Sequence, residues 1–271
     1  MRRSILVLAL LAMVMGTGCA HAVRDPLTPP ARPDSPDGKR MLRLLTWNVG
    51  EGDLWSGVMR DSAMEAVADT LTAVKADVVA LQGMKDEGQV KALVVALKKR
   101  ELTLEANAAR AWPGTSEGYS VLLFRAEDER SRTVWKTSKG HAVVGLWGQV
   151  GTVINVHAPA RWAGDRRDYF NELARWASSR LPPVILAGDY ELDRRGSQLH
   201  HWFTGPETDR KTFKELTRRF HFGTELPTTS RSGRELTHVR VRKGKIISQY
   251  VLEGHRVGRM VHDPVLVHIT E

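Results

Sequence analysis

Four short stretches of the sequence carry side chains suited to chemistry at the ends of apolar runs: Thr46-Trp47-Asn48, Asn155-Val156-His157, Gly188-Asp189-Tyr190-Glu191 and Val261-His262-Asp263-Pro264-Val265. Rigid elements that end together would gather an amide (Asn48), two imidazoles (His157, His262) and a carboxylate (Asp189) around one point. Hard oxygen donors beside imidazoles suit a divalent metal and a phosphate group. The same side chains also cap turns and satisfy strand ends, so the function lies in the set rather than in any one residue.

The elements that must position these residues are legible in the hydrophobic period. Leu42 to Val49 reads as a strand, and Met64, Val67, Leu71 and Val74 recur at helical spacing before the strand Val78 to Leu81. Val90, Leu93, Val94 and Leu97 mark a second helix. Strands are expected at Tyr119–Phe124, His141–Trp147 and Val150–His157, then a helix over Asp168–Ser178, whose Phe170, Leu173, Ala174 and Ala177 share a face. Pro182-Pro183 opens a strand over Val184–Ala187, and Leu236–Val241, Ile246–Leu252 and Pro264–Ile269 supply the last three. The strand-rich later part fits a mixed sandwich better than a simple parallel sheet.

The chain has 271 residues, 42% of them hydrophobic, with Lys+Arg 40 against Asp+Glu 31 and one cysteine. A single cysteine excludes disulfide frameworks and paired-cysteine metal or redox motifs. Arg2 and Arg3 precede the apolar run Ile5 to Met15, followed by small residues up to Cys19 and Ala20-His21-Ala22. This is the layout of an export signal over residues 1–22, too short for an ordinary spanning helix. Ala20-x-Ala22 fits a signal peptidase site, while Gly16-Thr17-Gly18-Cys19 resembles a bacterial lipobox in which Cys19 is lipidated. The lone cysteine at the end of the signal favours the second, giving a cell-envelope lipoprotein, with a soluble periplasmic or secreted form as the alternative. Residues 23–39 form a Pro-rich linker through Pro26, Pro29, Pro30, Pro33 and Pro36, and residues 40–271 form the globular domain. Removing residues 1–22 takes away two arginines and no acid, so the basicity belongs to that domain. Arg210-Lys211, Lys214, Arg218-Arg219 and the run Arg240 to Lys245 concentrate positive charge, either as a solvated face or as a track for a nucleic acid or other anion.

Over residues 41 to 270 the sequence resembles the endonuclease/exonuclease/phosphatase superfamily. "LRLLTWNVG" is similar to its opening strand, "ADVVALQG" to the strand that normally ends Leu-Gln-Glu, "GYSVLLFR" to its next central strand and "VINVHAPA" to its Asn-x-His strand. "VILAGDYE" resembles Gly-Asp-x-Asn and "VHDPVLVHI" the closing Ser-Asp-His-x-Pro-Val. The resemblance implies an α+β fold, a four-layer α/β/β/α sandwich with two packed mixed sheets and the site at one end. It also implies phosphoester hydrolysis by in-line water attack with Mg²⁺ or Mn²⁺. By motif position Asn48 supports the metal site, His157 contacts phosphate, Asp189 orients water and His262 acts as acid/base or charge stabiliser.

Four positions depart from that pattern. Gly83 stands where the metal-binding Glu is expected, Glu191 replaces an Asn, Val261 replaces an Asp, and Thr237 stands where Asp is common. Mg²⁺ is usually held through one or two carboxylates, so this loss weakens the usual site. Glu191, two residues from Asp189, supplies a replacement ligand beside it if the strand stays extended. Asp263 restores a carboxylate beside His262 only in an irregular loop, because adjacent strand residues face opposite ways. Asp86 and Glu87 can reach back or simply start a helix, and Glu51 and Asp53 are solvated loop acids on the plainer reading. His200-His201-Trp202 follows the Asp189 segment and can reach the site, although an aromatic-flanked surface pair is the plainer reading.

Two functions follow as expectations. One is an exported phosphodiesterase, nuclease or phosphatase acting on a phosphoester through Asn48, His157, Asp189, His262 and Glu191. The other is a tethered, non-catalytic module of the same fold that binds a phosphorylated or anionic partner, its membrane attachment made through the N-terminal lipid.

Overall fold

The computed structural model describes residues 29–33, 38, 41–50, 58–111, 118–125, 129–137, 139–147, 151–159, 162–180, 182–192, 206–222, 237–255, 260 and 262–270. The export signal with Cys19, most of the linker, Val261, Glu51, Asp53 and His200 to Trp202 lie outside the described residues.

Strand β1 (Leu42–Asn48) is buried along its whole length, and its alternation divides it between two cores. Leu42 and Leu44 face one way into a core between two sheets, while Leu45 and Trp47 face the other way into a core roofed by helices. Helix α1 (Met64–Val74) buries Met64, Val67, Leu71 and Val74 there, and α2 (Glu87–Lys99) adds Val90, Leu93 and Leu97. A strand buried on both faces is mostly apolar, and its few polar side chains must find partners, which explains why β1 and β2 (Val78–Met84) read as largely apolar runs broken only by Arg43, Thr46, Asn48 and Gln82. Asp86 caps α2, its carboxylate accepting from Gln89 N at 2.8 Å.

The same division recurs in the other half. β3 (Glu105–Arg110) and β4 (Tyr119–Phe124) complete the first sheet, and β5 (Glu129–Thr137), β6 (Gly140–Trp147) and β7 (Gly151–His157) begin the second. Helix α3 (Ala163–Ala177) precedes β8 (Val184–Asp189), and α4 (Pro206–Arg219) precedes β9 (His221–Phe222) and β10 (Thr237–Arg242). β11 (Lys245–Val251) and β12 (Val265–Thr270) return to the first sheet. The strand orders are β11-β12-β1-β2-β4-β3 and β5-β6-β7-β8-β10-β9. Both sheets are mixed, with β1–β2 and β7–β8 the parallel pairs. Ile185 and Ala187 of β8 face the inter-sheet core, whereas Val184 and Leu186 pack under Tyr169, Phe170 and Leu173 of α3. The fold is therefore the α+β four-layer sandwich that the resemblance implies.

Differences from the sequence reading have local causes. α3 starts at Ala163 rather than Asp168 because Arg166 joins its buried face, its guanidinium held by Asp209 at 2.7 Å and 3.1 Å. β3, with sequence EANAAR, lacks an apolar alternation to reveal it. α4 is largely polar, burying Leu216 and Thr212 with Phe213 half-buried, and so leaves too thin a stripe for the hydrophobic period.

Candidate functional site

Asp189 ends β8 at the meeting point of three strand ends. His157 of β7 is its register partner on one side and Thr237 of β10 on the other. Gly188 permits the approach, since a Cβ there would stand 1.9 Å from Val156 O of the adjoining strand. Asn48 arrives from the other sheet, and its Nδ2 donates to Asp189 Oδ2 at 2.7 Å. Its Oδ1 accepts from Gly50 N at 2.9 Å, which fixes the orientation of the amide. His262 precedes β12 and places Nε2 3.3 Å from the same Asp189 oxygen. Trp47 Nε1 donates to His262 O at 3.0 Å, tying that segment to β1. The structure thus brings Asn48, His157, Asp189 and His262 together, with Thr237 alongside.

All four are deeply buried; His262, at 5%, is the most exposed. Burial raises the cost of an ionised Asp189, yet His262, His157, the Asn48 amide and the Glu191 N–H together hold its carboxyl below the usual range. Burial pushes His157 down to about 4, against the pull of Asp189, so its ring is neutral at pH 7. Neither ring nitrogen of His157 has a hydrogen-bond partner among the described residues. One carboxylate facing one histidine can hold or pass a single proton between Oδ2 and Nε2.

The extended geometry on which a Glu191 ligand depended does not persist. β8 ends at Asp189, and Glu191 lies at φ 48, a left-handed conformation that turns the chain back. Its backbone N–H donates to Asp189 Oδ1 at 2.9 Å, so the residue contributes a main-chain donor to Asp189. Asp263 is buried in the coil between His262 and β12, the irregular setting its role required. Asp86 is the cap of α2 rather than a group reaching toward Gly83.

The divalent metal implied by the resemblance does not fit the residues at Gly83. Gly83 has φ 78, and a Cβ built on it would stand 2.7 Å from Gly50 N and 2.8 Å from both Asn48 Oδ1 and Gly50 Cα. The room a ligating Glu needs is filled by the backbone after β1. Both Asp189 oxygens already accept hydrogen bonds. Among the described residues no group of three or more His, Cys, Asp or Glu side chains is placed to hold a metal ion.

The organising role of two amides, Gln82 and Asn155, was not read from sequence. Gln82, the register partner of Asn48, donates to Asn155 Oδ1 at 2.7 Å across the inter-sheet core. Asn155 in turn donates to Leu81 O and Val121 O, at 2.8 Å and 2.9 Å. The signal was available as an amide within each of two largely apolar runs, since buried polar groups must find partners. At the rim, a cleft of about 400 Å³ is lined by Val58, Met59, Arg60, Asp61 and Lys85, and Met59 N donates to Gly83 O at 2.7 Å.

The basic run does not form one surface. Arg240 is fully buried against the rings of Phe213 and Tyr190, 4.3 Å and 5.4 Å from their centres. Arg242 donates to Ala177 O and Arg180 O, while Lys211, Arg218 and Arg219 pair with Glu207 or Glu215 on α4 itself.

Known proteins agree with this architecture. A conserved protein of unknown function from Enterococcus faecalis V583 superposes with TM-score 0.64 at 15% identity, covering 85% of this chain and all of its own. A mannosyl-6-phosphatase from Bacteroides thetaiotaomicron gives TM-score 0.60 at 14% identity over 85% of this chain and 100% of that one. The human Nocturnin catalytic domain with bound sulfate gives 0.58 at 15% identity over 85% and 94%. At these identities the likeness is one of fold. No curated protein matches the sequence. The model of the Endonuclease/Exonuclease/phosphatase family matches residues 45–237, more than half of the chain and spanning β1 to the start of β10. With the two mixed sheets and the four converging strand ends, that match shows that this chain belongs to the endonuclease/exonuclease/phosphatase family.

Proposed function

We propose that the chain is a non-hydrolytic member of its family that binds a phosphorylated or otherwise anionic partner. The observation that carries this reading is the packing of Gly50 into the space a side chain at position 83 would need. Without a ligand there, the remaining Asn48, Asp189 and His262 form a buried clasp between the sheets, and a buried carboxylate repels an anion rather than receiving it. Binding falls instead to the rim cleft, where Arg60 and the half-exposed Lys85 supply positive charge beside Asp61. The export signal and Cys19 support an exported, lipid-anchored protein of the cell envelope.

A second reading, a remodelled phosphoesterase, is favoured by the convergence of Asn48, His157, Asp189 and His262. Hydrolysis of bis(p-nitrophenyl) phosphate with Mg²⁺ or Mn²⁺ by residues 23–271, beside Asp189→Ala and His157→Ala, separates the two. No metal-dependent turnover is expected, together with binding of pyrophosphate or a single-stranded oligonucleotide that Arg60→Glu and Lys85→Glu weaken. Metal-dependent turnover lost in both Asp189→Ala and His157→Ala would replace the binding reading with the hydrolase.

A further inference from the structure

Residues 29–33, in the middle of the Pro-rich linker, are attached to the domain. Arg32 Nη2 donates to Asp77 Oδ2 at 2.8 Å, and Pro30 O accepts from Arg43 Nη2 at 3.0 Å. Asp77 Oδ2 also accepts from Arg43 N at 2.8 Å, and Asp77 N donates to Arg43 O at 2.8 Å. The two arginines and Asp77 thus lock residues 29–33 to the places where β1 and β2 begin. Pro29, Pro30 and Pro33 stiffen the segment and lower the entropy lost on docking.

The position of this attachment matters because the candidate site lies where the same two strands end. Asn48 and Gln82 are register partners at the finish of β1 and β2, whereas Leu44 pairs with Val78 near the start. At about 3.3 Å per residue, Arg43 and Asn48 are roughly 16 Å apart along β1. We infer that residues 29–33 are a strap that fixes the exit of the N-terminal segment at the end of the sandwich opposite the candidate site. An anchor upstream then joins the domain at the end away from the rim cleft. That consequence rests on the anchored reading; the strap itself rests on the contacts of Arg32, Arg43 and Asp77.

Pulsed electron paramagnetic resonance on the full chain with Cys19→Ser tests the strap without reference to ligand or lipid. One nitroxide is placed on Ala31→Cys and a second on Lys75→Cys, beside Asp77, or on Arg60→Cys, at the site end. A narrow distance distribution is expected from 31 to 75, with a mean distance from 31 to 60 longer by more than 10 Å. Arg32→Glu reverses the charge facing Asp77 at a half-exposed position and is expected to broaden the 31 to 75 distribution at least twofold, with cooperative thermal unfolding retained. A broad 31 to 75 distribution in the parent protein, no change with Arg32→Glu, or a shorter mean distance to 60 than to 75 would each overturn the strap. Loss of pyrophosphate binding with Arg60→Glu is a separate measurement, so the anion-binding reading and the strap stand or fall apart.

Discussion

Asn48 and Asp189 meet across the two sheets at 2.7 Å, 141 positions apart in the chain, and their contact closes the end of the sandwich. The amide cannot turn without losing Gly50 N, and the carboxylate cannot turn without losing Glu191 N. Each side chain is therefore positioned by the other and by a main-chain N–H donor two residues on in its own segment. A network closed in this way contributes to stability whatever the site does chemically.

The first prediction concerns that network. Asn48→Ala removes the donor to Asp189 Oδ2 and the acceptor for Gly50 N in a place water does not reach. Gly50 N is left unpaired and Asp189 Oδ2 keeps only His262, and an unpaired buried polar group costs roughly 1–3 kcal/mol, so a loss of about 2 kcal/mol is expected in urea unfolding. Asn48→Asp should be worse, because it places a second carboxylate against Asp189. Equal stability of Asn48→Ala and the parent would show that the contact does not hold the sheet ends together.

The second concerns Gly83. An alanine there meets both a left-handed φ of 78 and backbone atoms at 2.7–2.8 Å. Gly50 N and Cα belong to main chain and cannot swing aside as a flexible side chain can. Gly83→Ala is expected to destabilise by about 2–4 kcal/mol, in the range for a strained backbone site with overpacking. Gly83→Glu, which restores the family residue, is expected to fold poorly and to bind Mn²⁺ no better than the parent by calorimetry. Tight Mn²⁺ binding by a stably folded Gly83→Glu would mean that the segment after β1 can withdraw and that the metal position is only closed, not lost.

Much of this fold was legible because its central strands are buried on both faces. β4 was read at its observed bounds, and β1, β2, β7 and β8 within a few residues, since unbroken apolar runs need only turn residues to delimit them. β3 and α4 escaped because an edge strand and a surface helix bury too little to impose a period. The site residues were found as polar punctuation at strand ends, and the structure brings Asn48, His157, Asp189 and His262 together. What the sequence could not reveal was the Gly83–Gly50 contact, which depends on how two strand exits pack. The turn at Glu191 was equally hidden, because the residue lies in a left-handed conformation that Glu seldom adopts. The clustering of basic residues was misleading for a related reason: spacing along the chain does not show that Arg240 points into aromatic packing.

The last prediction is a pH dependence of stability set by His157. Its ring is fully buried, and its folded-state pKa of about 4 lies below the ordinary value of 6.5. Between those values the unfolded chain binds a proton that the folded protein refuses, so stability rises with pH across the interval and falls as the solution is acidified from 6.5 toward 4. At 1.36 kcal/mol per unit, the full depression corresponds to about 3 kcal/mol. His268, also buried and lowered to about 4, first by desolvation and then by Arg43 and Arg32, acts in the same direction. Asp189 does not offset them in this window: its carboxyl is held below the usual range, so its contribution is lost only as the pH falls through that depressed value. Urea midpoints measured from pH 7.5 to 4 should therefore fall on the acid side for the parent and flatten in His157→Leu, which has no proton to take up. His268 contributes to the slope remaining in that variant, which should shrink further in the double replacement with His268→Leu. A parent protein whose midpoint is constant between pH 6.5 and 4.5 would place His157 in contact with water rather than in the dry interior.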